Sequence, residues 1–388
     1  MKTFLVLMCL LTGVLACAGS QNRSPSAEQL DRINIERTEA NRLIEQGQFA
    51  EALILLEDLS RKLPDNPKTQ GLLAWAQWQT GHQAEAVASF EASIRGDYSD
   101  YLTHLRFGQA LMGMAKTGRA LTEFKVATEL SKNEPLPHYN RGLALYDLGR
   151  QEDAQAQWQR AYDLDSDNPV YAEAMGIGLS GRDDEQALVY FEKAQLLGRT
   201  GAAFSHNYAL TLERLGRTTR AEAEFFKAVG AEPDRLTYRF DLAAFYMNTR
   251  AYEKAIPHWQ FLLVKQHEDS SPRIYLARAY YELGRFTEAI ASLDTLAGAA
   301  DVSGFGRLGE TYGILAMSYR GIGQLDKANS FIEKALEIEP DRVEYLINYG
   351  VILADRGMMD RARVQWQRAL EIEPDNKTAQ QNLSAVKR

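Results

Sequence analysis

Lys334-Ala335-Leu336-Glu337-Ile338-Glu339-Pro340-Asp341 is followed, 34 residues later, by Arg368-Ala369-Leu370-Glu371-Ile372-Glu373-Pro374-Asp375. Seven of the eight positions are identical, and the eighth exchanges Lys for Arg. Just upstream, Ala328-Asn329 aligns with Ala362-Arg363 at the same step. The step continues toward the N-terminus. Gly47 and Gly81 are 34 apart, as are Gly108 and Gly142, and Ala52, Ala86, Ala120 and Ala154 follow one another at that interval. Phe90, Phe124 and Trp158 keep the same register. A fixed period of this length marks a repeat architecture in which each repeat is one supersecondary unit.

From these anchors the chain divides into windows at 33–66, 67–100, 101–134, 135–168, 169–201, 202–235, 236–269 and 270–303. An insertion follows, then windows at 309–342 and 343–376. Each window carries a small residue midway along its first predicted helix, for example Ala74, Gly108, Gly142, Gly176 and Gly350. An alanine lies early in the second, such as Ala221, Ala255 or Ala289, with a large residue four positions on, such as Phe225, Trp259 or Leu293. Two antiparallel helices approach closely only where side chains are small, so this spacing describes a helical hairpin. Gly149, Gly216, Gly284, Gly323 and Gly357 fall where the first helix must end in a left-handed residue. Pro64, Pro233, Pro340 and Pro374 close windows, because proline lacks the amide that would continue a helix.

Over essentially the whole chain after the first 27 residues this pattern resembles the tetratricopeptide repeat family. The resemblance implies an all-α fold, a right-handed α-solenoid of about ten helix-turn-helix repeats with a C-terminal capping helix. The expected organisation is a repeat array of about eight repeats over 28–303, a glycine-rich insertion at 304–308, repeats nine and ten over 309–376, and a polar capping helix over 377–388. Gly298, Gly304, Gly306, Gly309 and Gly313 crowd the stretch between the two blocks and are expected to loosen the backbone there.

The first residues read as an address. Lys2, the apolar run from Phe4 to Val14, and Ala16 before Cys17 have the layout of a secretory signal peptide over 1–16. Val14-Leu15-Ala16-Cys17 resembles the bacterial lipobox, which implies cleavage before Cys17 and acylation of that cysteine. The small polar residues of 17–27 then form a flexible tether. By the same resemblance the protein is a lipoprotein of the cell envelope. The absence of an aspartate after Cys17 points to the outer membrane, with the array facing the periplasm.

Composition excludes several other functions. The 388 residues carry a formal charge of −8, and no basic stripe of the kind a nucleic-acid binder needs is present. The only two cysteines are Cys9 and Cys17, so there is no disulfide framework, cysteine zinc site or cysteine nucleophile in the repeats. No HExxH and no Walker loop occurs. Gly304, Gly306 and Gly309 spell GxGxxG, but a dinucleotide site needs a strand before those glycines and none is predicted. His104 and His138 stand one period apart; packing of the first helices accounts for them better than a shared metal does. The expectation is a chain with no cofactor, no metal and no catalytic role.

Tetratricopeptide arrays bind peptides or proteins on the wall lined by their first helices. Carried over, that wall contains Trp78, Leu105, Met112, Tyr139, Asn140 and Tyr146 in windows two to four. Further along it contains His206, Asn207, Met247, Arg278, Tyr281 and Asn348. Asn140, Asn207 and Asn348 are equivalent, but Leu72, Arg106, Ala174 and Tyr275 interrupt an asparagine ladder. A carboxylate-clamp groove is also incompletely matched: Arg37 and Asn41 fit its first turn, whereas Leu72 follows where asparagine is wanted. The function implied is a scaffold or adaptor for other proteins or peptides, lipid-anchored to the membrane. The alternatives are an accessory subunit of an enzyme, export or pilus system encoded elsewhere, or a self-associating structural protein that forms homodimers.

Overall fold

A computed structural model describes residues 27–266, 269–297 and 307–385. The signal peptide, Cys17 and most of the tether lie outside them, as do 304–306 of the expected insertion. Among the described residues there are 21 helices and no strand. No helix there is long and apolar enough to cross a membrane. The chain forms two compact units, divided between Leu164 and Asp165.

The first unit holds four hairpins. They are α1 (Ala27–Glu45) with α2 (Phe49–Lys62), α3 (Pro67–Gln79) with α4 (Gln83–Gly96), α5 (Tyr101–Gly113) with α6 (Thr117–Leu130), and α7 (Pro135–Asp147) with α8 (Gln151–Leu164). The second unit begins with α9 (Pro169–Leu179), α10 (Asp184–Leu196), α11 (Ala202–Arg214), α12 (Thr218–Ala231), α13 (Leu236–Asn248) and α14 (Tyr252–Lys265). It continues with α15 (Ser271–Glu282), α16 (Phe286–Ala297), α17 (Leu308–Gly321), α18 (Leu325–Ile338), α19 (Val343–Asp355) and α20 (Met359–Ile372), then α21 (Lys377–Ala385). Each odd-numbered helix packs on the even-numbered helix that follows it, giving ten hairpins and a final single helix, an α-solenoid within each unit.

Helix starts follow local chemistry. Pro67, Pro135 and Pro169 occupy the first turn, where a missing amide costs nothing. Asn66, Asp100 and Asn168 accept hydrogen bonds from the first-turn amides of Thr69, Leu102 and Val170.

The core of every hairpin is a large side chain from the second helix set against a small residue of the first. Phe90, Phe124, Trp158, Phe191, Phe225 and Trp259 are all at most 1% exposed. A methyl added at Gly108 would collide with the Phe124 ring, and one at Gly142 with the Trp158 indole. At Gly176 it would sit 3.0 Å from Phe191, and at Gly350 it would strike Trp366. The closeness lets both indoles find an acceptor: Trp158 Nε1 donates to the Tyr139 carbonyl and Trp366 Nε1 to the Ile347 carbonyl, each at 3.2 Å. In the seventh hairpin the small residue is Ala243, and Trp259 Nε1 is buried without an acceptor.

Gly47, Gly81, Gly149, Gly216, Gly284, Gly323 and Gly357 all have positive φ at first-helix ends. In the third and seventh hairpins the same conformation falls on Ala115 (φ 57°) and Arg250 (φ 59°). Ala115 N donates to the Met112 carbonyl and Lys116 N to the Leu111 carbonyl, both at 2.9 Å. This paired closure is what fixes the left-handed residue.

Two glycines assigned by sequence to a loose seam belong to a helix. Gly309 and Gly313 lie in the first half of α17. A Cβ at Gly313 would stand 2.9 Å from the Tyr345 ring of the next hairpin, and one at Gly309 would meet the Glu339 carboxylate. Gly313 permits the close approach of the Tyr345 ring and so tightens the stack; Gly298, Gly304 and Gly306 lie outside the described residues.

The outer edge of the first unit is polar. Where α3 buries Leu73 and Ala76, the equivalent α1 positions carry Glu39 and Arg42, which pair with each other at 2.5 Å. At the other end α21 covers α19 and α20 with Ala379 buried, and it exposes Thr378, Gln380 and Gln381.

Replacing Gly142 or Gly350 by Ala is expected to lower stability by about 1–3 kcal/mol, overpacking outweighing the helix-propensity gain. Gly230→Ala in α12, with nothing within 4 Å, should instead raise it by up to about 1 kcal/mol. Urea unfolding of the three variants checks both signs. Ala115→Gly and Arg250→Gly should each raise stability by about 1 kcal/mol, seen as a higher urea midpoint, by removing the cost of a side chain in the left-handed region.

Candidate partner-binding groove

The first helices of the first three hairpins share a groove of about 310 Å³. α1 contributes Arg37 and Asn41, α3 contributes Lys68 and Leu72, and α5 contributes Thr103 and Arg106, with Asp100 at its start. The helical step places Arg37 and Asn41, or Lys68 and Leu72, one above the other on one face. Stacking of the hairpins then sets the three faces side by side.

The electrostatics are unbalanced. Arg37, Lys68 and Arg106 bring three cations, and Asp100 is the only carboxylate in the lining. Asp100 is already engaged at the start of α5, accepting from the Leu102 amide at 3.2 Å and the Thr103 hydroxyl at 2.6 Å. Arg106 lies over the Trp75 ring, 5.7 Å from its centroid. Burial pushes the Arg106 guanidinium below its ordinary value, while the charges of Asp100 and Glu45 pull the other way. Neither Lys68 nor Arg106 forms an ion pair among the described residues. Among the described residues Arg37 donates to the Asn34 side chain at 2.8 Å, and Asn41 to Glu45 at 2.7 Å. Guanidinium and ammonium groups held in this way bind carboxylates by charge-assisted hydrogen bonds.

The wall residues read from sequence are distributed unevenly. Trp78 and Met112 are each half-buried and pack against the same buried apolar cluster, with the Trp78 ring over Gly113. Tyr146 is 44% exposed and rests on Trp158 at 5.4 Å between ring centroids. Leu105 is only 2% exposed and belongs to the core, so it supports the wall from behind. Tyr139 is half-buried, and its carbonyl is the acceptor for Trp158. Asn140 is buried, its amide donating to the Leu136 carbonyl at 2.9 Å and accepting from Gln109 at 3.4 Å. That amide is spent inside the fold and has little left for a peptide backbone.

In the second unit Asn207, Met247 and Asn348 are half-buried on their first helices, and Tyr281 packs against Phe286 at 5.8 Å. His206 is bonded to Asp241 at 2.7 Å and Arg278 faces Glu310 at 3.5 Å, so the charges in this stretch are largely paired internally. His104 and His138 are each fixed by the second helix of their own hairpin and by the loop that precedes it. His104 lies 2.7 Å from Glu123 and 3.1 Å from the Tyr98 carbonyl, and His138 lies 3.0 Å from Gln157 and 3.3 Å from the Lys132 carbonyl. No group of three potential metal ligands occurs among the described residues.

Sequence reading missed Lys68 and treated Arg106 only as a break in a ladder. The available signal was positional. Arg106 stands exactly one repeat beyond Leu72, and Lys68 is one helical turn before it.

Four tetratricopeptide-repeat family models match the chain, at residues 43–100, 135–168, 246–303 and 309–342. The chain is 25% identical over 312 residues to human Superkiller complex protein 3, covering 75% of this chain but only 19% of that protein. Among solved structures, pilF of Pseudomonas aeruginosa aligns with a TM-score of 0.51 at 15% identity, covering 55% of this chain and 98% of that one. A tetratricopeptide repeat protein from Parabacteroides merdae aligns at 0.47 and 16% identity, covering 66% and 99%. The hairpins, their small-to-large core contacts and the family matches agree: the matched segments in both units are tetratricopeptide repeats.

Proposed function

We propose that the chain is a non-catalytic scaffold or adaptor whose first unit holds a carboxylate-rich segment of a partner protein. Repeats of this family generally mediate contacts between proteins. The observation that carries the narrower reading is the set of three cations, Arg37, Lys68 and Arg106, in one groove whose single carboxylate is committed to a helix start. Thr103, Asn41 and the half-buried Leu72 supply polar and apolar contacts around them. Trp78 and Met112 extend the surface with apolar area further along the same first helices.

The same proposal places the protein at the bacterial cell envelope. Cys17, preceded by Val14-Leu15-Ala16, carries the lipid, and the polar stretch after it tethers the repeats, facing the periplasm from the outer membrane. Two or more acyl chains would make that attachment stable. In that position the repeats support assembly of an envelope complex.

Charge reversal at Lys68 and Arg106 to Glu is expected to weaken binding of a fluorescent Glu-rich peptide by at least about tenfold, since truncated charge pairs typically cost several kcal/mol. Fluorescence anisotropy measures this, and unchanged affinity in a folded variant would remove the groove from the account. Cys17→Ser should abolish palmitate labelling and shift the protein from the membrane to the soluble fraction. Persistence of the label would refute the anchor.

A further inference from the structure

One core position of the first unit carries the wrong kind of residue. In the other internal repeats the position equivalent to Arg141 buries an apolar or aromatic side chain: Leu73, Phe107, Met175, Tyr208, Leu242 and Leu276 are all at most 5% exposed. Arg141 breaks this rule on α7. Its Nε is buried with no acceptor, and Nη1 donates to the Thr128 hydroxyl at 3.2 Å. Thr128 in turn spends its proton on the Lys125 carbonyl at 2.8 Å. No carboxylate pairs with Arg141 among the described residues. A buried donor without a partner and a cation without a counter-charge both cost stability. Such an anomaly in an otherwise regular repeat calls for a compensating interaction.

Arg141 opens onto a groove of about 250 Å³, separate from the first-helix groove and lined also by Lys125, Arg150, Asp153 and Gln157. Arg150 and Asp153 neutralise each other through hydrogen bonds of 2.5 and 2.8 Å. Lys125 has only a 3.9 Å approach to the exposed Glu129. Three cations line the groove against one carboxylate, and with Glu129 beside Lys125 a local excess of one positive charge remains, centred on Arg141. A phosphate group carries about −1.5 to −2 at neutral pH and offers several acceptor oxygens, and an arginine fork suits it. We infer that this groove is a second binding site, for a phosphate group, with Arg141 at its base and Lys125 at its rim. The group belongs either to free phosphate or to a phosphate monoester, and the chemistry of recognition is the same.

The test uses the full chain at constant ionic strength, titrated with inorganic phosphate and separately with glycerol phosphate, sodium chloride serving as control. The unfolding midpoint should rise saturably with at least one phosphate and not with chloride. Tighter binding of glycerol phosphate would identify a monoester as the ligand, and tighter binding of inorganic phosphate would identify the free ion. Arg141→Met should abolish the effect while raising the midpoint measured without phosphate. Lys125→Gln, an exposed substitution, should weaken apparent affinity about tenfold, in line with loss of one charge-assisted contact. If Arg141→Met fails to fold, the Lys125→Gln result decides. A wild-type chain with no saturable response to either phosphate would overturn the proposal, and so would a response that both variants retain.

Discussion

Every hairpin depends on one contact: the large side chain in the middle of its second helix must reach the backbone of its first. That is possible only because the opposing residue is Gly or Ala. Where it is Gly142 or Gly350, the ring comes close enough for its indole to donate to a carbonyl of the first helix. This contact fixes the distance and rotation of the two helices, and hence which residues of the first helix face outward. The next hairpin packs on the surface so defined. A groove assembled from α1, α3 and α5 therefore inherits its geometry from side chains that no partner touches, such as Phe90 and Phe124.

The same rigidity explains why exceptions carry information. A repeated core tolerates little variation, so a departure at an equivalent position has a cost that must be offset. Ala115 and Arg250 hold a backbone conformation that the other first-helix ends give to glycine, and they do so inside a closed hydrogen-bonded turn. Glu39 and Arg42 replace core residues at an edge, where pairing with each other in solvent suffices. Arg141 replaces one at a half-buried position, where its Nε is enclosed without an acceptor and no carboxylate pairs with it among the described residues. The first departure concerns local strain, the second the edge of a stack, and the third a binding chemistry.

The fold class was legible because its determinants are periodic and local. Gly142 and Trp158 can be matched by counting, and the spacing of Gly149 and Gly216 already demands a left-handed residue. The site was less legible because it depends on what lies beside a residue in space. Asn140 is a wall residue by helical spacing, yet Gln109 and the Leu136 carbonyl absorb its amide. Leu105 faces the core, in one buried cluster with Phe90 and Phe124 from the second helices. Lys68 and Arg106 look like ordinary surface charges until three helices are placed side by side. Gly309 and Gly313 resemble loop residues in composition, but Gly313 lies against the ring of Tyr345, which comes from another hairpin.

Hydrogen–deuterium exchange, with and without a saturating Glu-rich peptide, tests the central claim most directly. Added protection concentrated in the amides of α1, α3 and α5 is the result this account requires. Protection confined to the second helices α2, α4 and α6, or none in the first unit, would contradict it.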